Sequence, residues 1–108
     1  MLITVLKSKI AYAKITQTEL YYEGSITIDE DIMDKVGIRD NEQVHIVNVN
    51  NAERAITYAI KGKRGSKIIG LNGPLARKGT IGDDIHILAY GQIDNDIETP
   101  IPQLLDLK

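Results

Sequence analysis

The sequence predicts a mainly β fold, a small barrel with short helices. Three observations carry that expectation. Short runs rich in Ile, Val and Thr recur along the chain, and such residues fit a pleated, half-buried surface. Gly, Asn, Asp and Ser clusters separate the runs, as turns require. Only two stretches show a helical pattern, and both are short; many short strands with few helices indicate a barrel.

The elements follow in order. Leu2 to Leu6 is apolar and β-branched and reads as a strand, and Ala13 to Thr16 either continues it or forms a second one. Ser25 to Ile28 is a short strand with Ile26 and Ile28 on one face. Asp29 suits a helix N-cap, with Glu30 and Asp31 in the first turn. Ile32, Met33 and Val36 share a helical face, and Gly37 ends the helix. Gln43 to Val49 and Glu53 to Ile60 flank Asn50-Asn51-Ala52 as a hairpin. Lys61 to Ser66 is a polar turn, Lys67 to Leu71 a strand and Asn72-Gly73 a turn. Pro74 opens a short helix reaching Lys78. Gly79 to Asp83 turns again, Asp84 to Tyr90 is the last strong strand, and the tail with Pro100 and Pro102 is extended.

At 108 residues the chain is expected to be one domain, residues 1–108. Phe and Trp are absent and all five aromatics are Tyr, so aliphatic side chains must fill the core. The net charge of -2 argues against a nucleic-acid binder that relies on bulk positive charge. With no cysteine, disulfides, thiol catalysis and Cys-based zinc sites are excluded. No apolar run has the length of a membrane span or of a signal peptide, so the expected location is the cytoplasm. His45 and His86 lie far apart in sequence without a ligand pattern, and no metal site is expected. The Lys61–Lys67 run lacks interleaved aromatics and reads as a solvated turn.

Three stretches could carry chemistry. In Gly24-Ser25, the serine hydroxyl could attack the preceding carbonyl if the two are held close in a strained backbone. Taken alone, Gly-Ser is a common turn pair, and a turn is the plainer reading. In Arg54-Ala55-Ile56-Thr57-Tyr58, strand alternation puts Arg54, Ile56 and Tyr58 on one face and Thr57 on the other. Arg can grip a carboxylate, Tyr can donate a proton, and Thr can donate to an oxyanion; an ordinary half-exposed hairpin strand fits as well. In Asn72-Gly73-Pro74-Leu75, a turn entering a helix offers backbone N–H groups, except from Pro74, and is otherwise a simple cap.

Together these stretches resemble the pyruvoyl-dependent aspartate decarboxylases. The resemblance rests on the run from Lys9 through KITQTELYYEGSITID, then NVNNAERAITYAI, RGSKIIGLNG and IGDDIHILAY, in matching order from Met1 to about Tyr90. It implies a double-psi β-barrel, a homotetramer with active sites between subunits, and self-cleavage at Gly24–Ser25 into residues 1–24 and 25–108. It implies a pyruvoyl group made from Ser25, which captures L-aspartate as a Schiff base and releases carbon dioxide and β-alanine for pantothenate synthesis. Tyr58 is the implied proton donor, with Ser25 the other catalytic residue. Gly24, Ser25, Thr57 and Asn72 are implied in processing. Lys9, Arg54, Thr57, Gly73, Pro74 and Leu75 are implied in substrate binding. No metal is implied, and the resemblance adds one further partner, a maturation helper protein of the kind some members of such a family need. Ala11, Val47, Pro74-Leu75 and His86 depart from the family's common pattern. An uncleaved barrel serving as a binding or assembly module is the competing reading.

Overall fold

A computed structural model describes every residue from Met1 to Lys108. Eight strands form one sheet: β1 Leu2–Lys14, β2 Gln17–Glu19, β3 Ile26–Asp29, β4 Gln43–Asn48, β5 Arg54–Gly62, β6 Ile69–Asn72, β7 Asp84–Asp94 and β8 Gln103–Asp106. Helix α1 spans Glu30–Val36, and a 3-10 helix spans Gly73–Lys78. The sheet order is β2-β6-β3-β5-β4-β7-β1-β8.

The first strand closes this sheet into a barrel. β1 pairs with β7 until Lys14, opposite Asp84. The chain then changes partner within two residues: Ile15 N–H donates to Asp83 (2.9 Å) and Thr16 N–H to Ile69 of β6 (2.8 Å). β2 continues beside β6 in parallel. One continuous stretch thus borders both ends of the strand order. Tyr12, at φ 57°, sits where the β1–β7 register shifts, and such a bulge adds the bend that closure needs.

The core is aliphatic, as the composition requires. Ile10, Ile15, Ile26, Ile28, Ile69 and Ile87 are fully buried, joined by Val44, Leu71 and Ala59. The helix forms as its sequence directs. Asp29 Oδ1 accepts the Asp31 N–H at 2.9 Å, Gly37 closes the helix at φ 69°, and Ile32, Met33 and Val36 face inward. Asp29 does more than cap: its carboxylate also accepts N–H groups of Gly65 (3.1 Å) and Lys67 (2.8 Å). Burial works to raise its pKa, but the N–H donors of Lys67, Asp31 and Gly65, with Arg64 nearby, outweigh that and hold it below the usual carboxylate range.

Several boundaries differ from the sequence expectation. β1 is one strand through Lys14, because pairing with β7 and β8 carries it past the polar Lys7–Lys9 stretch. β6 starts at Ile69 instead of Lys67, since Lys67 adopts φ 59° over the Asp29 carboxylate. β5 runs on to Gly62 and β7 to Asp94, and short β2 and β8 are additional strands. The Lys61–Lys67 run is more than a solvated turn: Arg64 bridges Glu30 (3.1 Å), Asp31 (2.8 Å) and Asp34 (2.7 Å) on α1. His45 and His86, distant in sequence, are diagonal neighbours on the β4–β7 ladder, with His45 opposite Leu88 and His86 opposite Val47.

Candidate active site

The site arises where a ladder fails. β3 lies parallel to β5, with Ile26 beside Ala59, and antiparallel to β6, with Ile26 beside Leu71. Extending both registers back by one or two residues sets Ser25 beside Asn72 and Gly24 near Thr57. On the β6 side the extension holds, for Asn72 N–H donates to the Ser25 carbonyl at 3.0 Å. On the β5 side it breaks, because Gly24 and Ser25 adopt φ 142° and 95°. The N-terminal half of β5 therefore has β4 on one flank and a cleft on the other.

That cleft holds about 280 Å³, and Gly24, Ser25, Thr57, Asn72, Pro74 and Leu75 are among its lining residues. Ser25 is 1% exposed. Its positive φ is a conformation that non-glycine residues adopt at a cost of roughly 1–3 kcal/mol. Asn72 Nδ2 donates to Ser25 Oγ at 3.0 Å and to Thr27 Oγ1 at 2.9 Å. Gly73, at φ 67°, passes so close to the preceding loop that a Cβ there would lie 2.5 Å from the Tyr22 carbonyl oxygen and 2.8 Å from the Gly24 nitrogen. A buried nucleophilic hydroxyl, a strained backbone and a tight glycine contact thus meet at one peptide bond.

The profile of the family described as aspartate decarboxylase matches residues 1–107. The chain is 63% identical over 108 residues to the aspartate 1-decarboxylase of Coxiella burnetii (strain RSA 493 / Nine Mile phase I), covering all of this chain and 97% of that protein. It is 55% identical over 108 residues to the aspartate 1-decarboxylase of Francisella tularensis subsp. holarctica (strain OSU18), with the same coverage. It is 52% identical to aspartate 1-decarboxylase 2 of Polaromonas sp. (strain JS666 / ATCC BAA-500), over 94% of this chain and 82% of that one. The chain belongs to the aspartate decarboxylase family. The family is one of carboxy-lyases, and the mainly β, small-barrel fold agrees with the resemblance read from the sequence.

Within this family member, the expected site residues fall into two spatial groups that cut across the division between processing and substrate binding. Gly24, Ser25, Thr57, Asn72, Pro74 and Leu75 line one cleft, and Gly73 packs against its Gly24 edge. Arg54 lies outside it, in an adjoining hollow of about 450 Å³ with His45 and Ile46. Ala55 and Ile56 border both spaces. Tyr58 is 38% exposed, on the face of β5 opposite Thr57. Lys9 stands on β1 opposite Leu88 and does not line the cleft. The side chains of Lys9, Arg54 and Tyr58 make no hydrogen bond or ion pair within the chain. Two cleft neighbours escaped the sequence reading. Lys78 lines the wall and pairs with Glu53 at 2.8 Å, and Thr27 reaches the site only through Asn72. The only sequence signal for Thr27 was its place two residues after Ser25. No group of three His, Asp or Glu side chains is arranged to hold a metal ion.

Proposed function

We propose that this chain is a pyruvoyl-dependent aspartate 1-decarboxylase, which converts L-aspartate to β-alanine and carbon dioxide after breaking its own backbone between Gly24 and Ser25. One observation carries the reading. Ser25 is buried with its backbone at φ 95°, its hydroxyl held by Asn72 and its neighbour Gly24 free of side-chain bulk. The names of relatives at 52–63% identity supply the substrate.

The geometry supports the following course of processing. Ser25 Oγ adds to the Gly24 carbonyl carbon, and the C–N bond breaks to leave an ester and a free amine. Loss of the Ser25 Cα proton then expels the Gly24 carboxylate and leaves dehydroalanine at residue 25. Water replaces its nitrogen, ammonia departs, and a ketone remains. Backbone strain at Ser25 raises the energy of the starting peptide and is relieved once the amide is broken. Asn72 fixes Oγ, so little orientational entropy is left to lose. The Thr57 hydroxyl, which lines the same cleft, would donate to the Gly24 oxygen as it gains negative charge. The unbroken chain corresponds to the precursor.

The residues around position 25 fit a pyruvoyl group, which would be smaller than the serine it replaces and would open onto the cleft lined by Thr57, Asn72, Pro74 and Leu75. That group supplies an electron sink for the α-carbon of a bound amino acid. The chain's own residues do the rest. Arg54 and Lys9 offer cations for the two carboxylates of L-aspartate. Backbone N–H groups of Gly73 and Leu75 are available to the substrate, while Pro74 has none and contributes shape. Tyr58 donates a proton to the α-carbon after carbon dioxide leaves. Lys9, Arg54 and Tyr58 lie outside the cleft of their own chain, which supports a homotetramer whose sites are completed between subunits. As an enzyme acting on a small metabolite, it is assigned to the cytoplasm.

Intact mass of denatured protein tests the reading. Two fragments, residues 1–24 and 25–108, are expected, with the larger reduced by borohydride in the presence of aspartate. Ser25→Ala is expected to give one uncleaved chain and no carbon dioxide. Incubation with and without cell extract separates spontaneous maturation from maturation by a helper protein. An assembled chain that stays whole under both conditions overturns the proposal.

A further inference from the structure

We propose that Thr27 is a positioning residue for backbone processing, acting through Asn72 without touching the bond that breaks. The inference rests on the reading above, since it concerns how the Ser25 hydroxyl is held.

Asn72 presents a single amide NH2 to two hydroxyls. One hydrogen goes to Ser25 Oγ at 3.0 Å, the other to Thr27 Oγ1 at 2.9 Å. An amide turns easily about its last side-chain torsion, which has broad minima in place of sharp staggered wells. One hydrogen bond to Ser25 leaves that rotation loosely defined; two acceptors on different residues fix it. Asn72 is buried, so a freed N–H could not turn to bulk water. It would seek another acceptor, and the Ser25 contact would loosen with it.

Thr27 is itself held rigidly. β3 is flanked on both sides, with Thr27 beside Ile60 of β5 and Gly70 of β6. Its methyl group packs at Gly62, where an added Cβ would lie 2.9 Å from Thr27 Cγ2. A β-branched side chain with its methyl seated this way has its hydroxyl direction decided too. Methyl and hydroxyl thus divide the work: one sets the rotamer, the other anchors the amide. A central strand thereby transmits its rigidity to the nucleophile two residues upstream.

The test follows the rate of cleavage of freshly made, assembled chain by intact mass. Thr27→Val keeps the shape and removes the acceptor, and is expected to slow cleavage by roughly tenfold, the order of one lost hydrogen bond in a barrier. Thr27→Ser restores the acceptor without the methyl that sets its rotamer, and is expected to recover part of the rate. A merely structural role is distinguished by a double-mutant cycle: in an Asn72→Ala background, Thr27→Val is expected to have no further effect. Should Thr27→Val fail to fold, Thr27→Ala against Thr27→Ser makes the same comparison. Equal cleavage rates for the hydroxyl and hydroxyl-free variants overturn the inference, as does an undiminished Thr27→Val effect without the Asn72 amide. If the parent chain itself never cleaves, the reading of function fails instead.

Discussion

Gly73→Ala isolates the tightest backbone approach in the site. Two costs are expected. Residue 73 adopts φ 67°, and an L side chain in that region costs roughly 1 kcal/mol. The new Cβ would also lie 2.5 Å from the Tyr22 oxygen, 2.8 Å from the Gly24 nitrogen and 2.9 Å from the Gly24 Cα. All three are main-chain atoms, so no rotamer change relieves the contact and the Tyr22–Gly24 segment must move. Overpacking of this kind costs about 1–3 kcal/mol, for a total near 2–4 kcal/mol. Gly65→Ala is the control, because Gly65 has φ 78° but open space where its Cβ would go. It should cost only the backbone contribution, about 1 kcal/mol. Thermal unfolding measures both, at about 4 °C per kcal/mol for a domain of this size. Gly73→Ala should lower Tm by about 8–16 °C and Gly65→Ala by about 4 °C. Cleavage, followed by intact mass, should slow at least about tenfold in Gly73→Ala, because displacement of the reacting carbonyl costs orientation. Equal effects of the two substitutions on both readouts would refute the claim that the close approach holds the cleavage loop.

Tyr58→Phe should leave cleavage intact while lowering turnover by about 10²–10⁴, the usual worth of a positioned proton donor; assay of carbon dioxide release on fully cleaved protein checks this. Asp29→Ala strands three backbone N–H donors, one of them the helix-cap donor of Asp31, and should cost about 2–4 kcal/mol in urea unfolding. Because the folded pKa of Asp29 is depressed, its contribution is fully present above the unfolded value near 3.8 and is lost as pH falls below it; the variant should lose that part of the acid dependence. His86 behaves in the same protonation sense, although the deprotonated form that the fold favours is here the neutral one. Burial and then Lys9 lower its pKa, and its neutral Nδ1 accepts the Tyr12 N–H at 3.2 Å. The unfolded chain therefore binds the proton first, so stability should decline as pH drops below about 6.5, and His86→Leu should flatten that slope in pH-dependent unfolding.

Local chemistry made much of the fold legible. The Asp29 cap, the Gly37 stop, the Asn50–Ala52 turn and the Pro74 helix start each depend on a few adjacent atoms, and each lies where its residues indicate. β2 and β8 were not legible. Gln17–Glu19 and Gln103–Asp106 carry little apolar pattern and are strands only because β6 and β1 offer them unpaired edges. Arg64 read as part of a solvated turn because its three carboxylate partners are brought to it by the path of the chain around Asp29. Within the site, Thr57 facing the cleft and Arg54 and Tyr58 facing away follow from strand alternation. The positive φ of Ser25 and the link from Asn72 to Thr27 depend on registers between distant strands, and no local pattern encodes those.

The turncoat strand at the barrel's seam has a consequence for a chain that severs itself. A break after Gly24 falls between the end of β2 at Glu19 and the start of β3 at Ile26, where no rung of either ladder is cut. The short piece keeps all of β1 and β2, gripped by β7, β8 and β6. It would stay woven in like a stave in a cask, and the nicked molecule would gain a new terminus without loosening its wall.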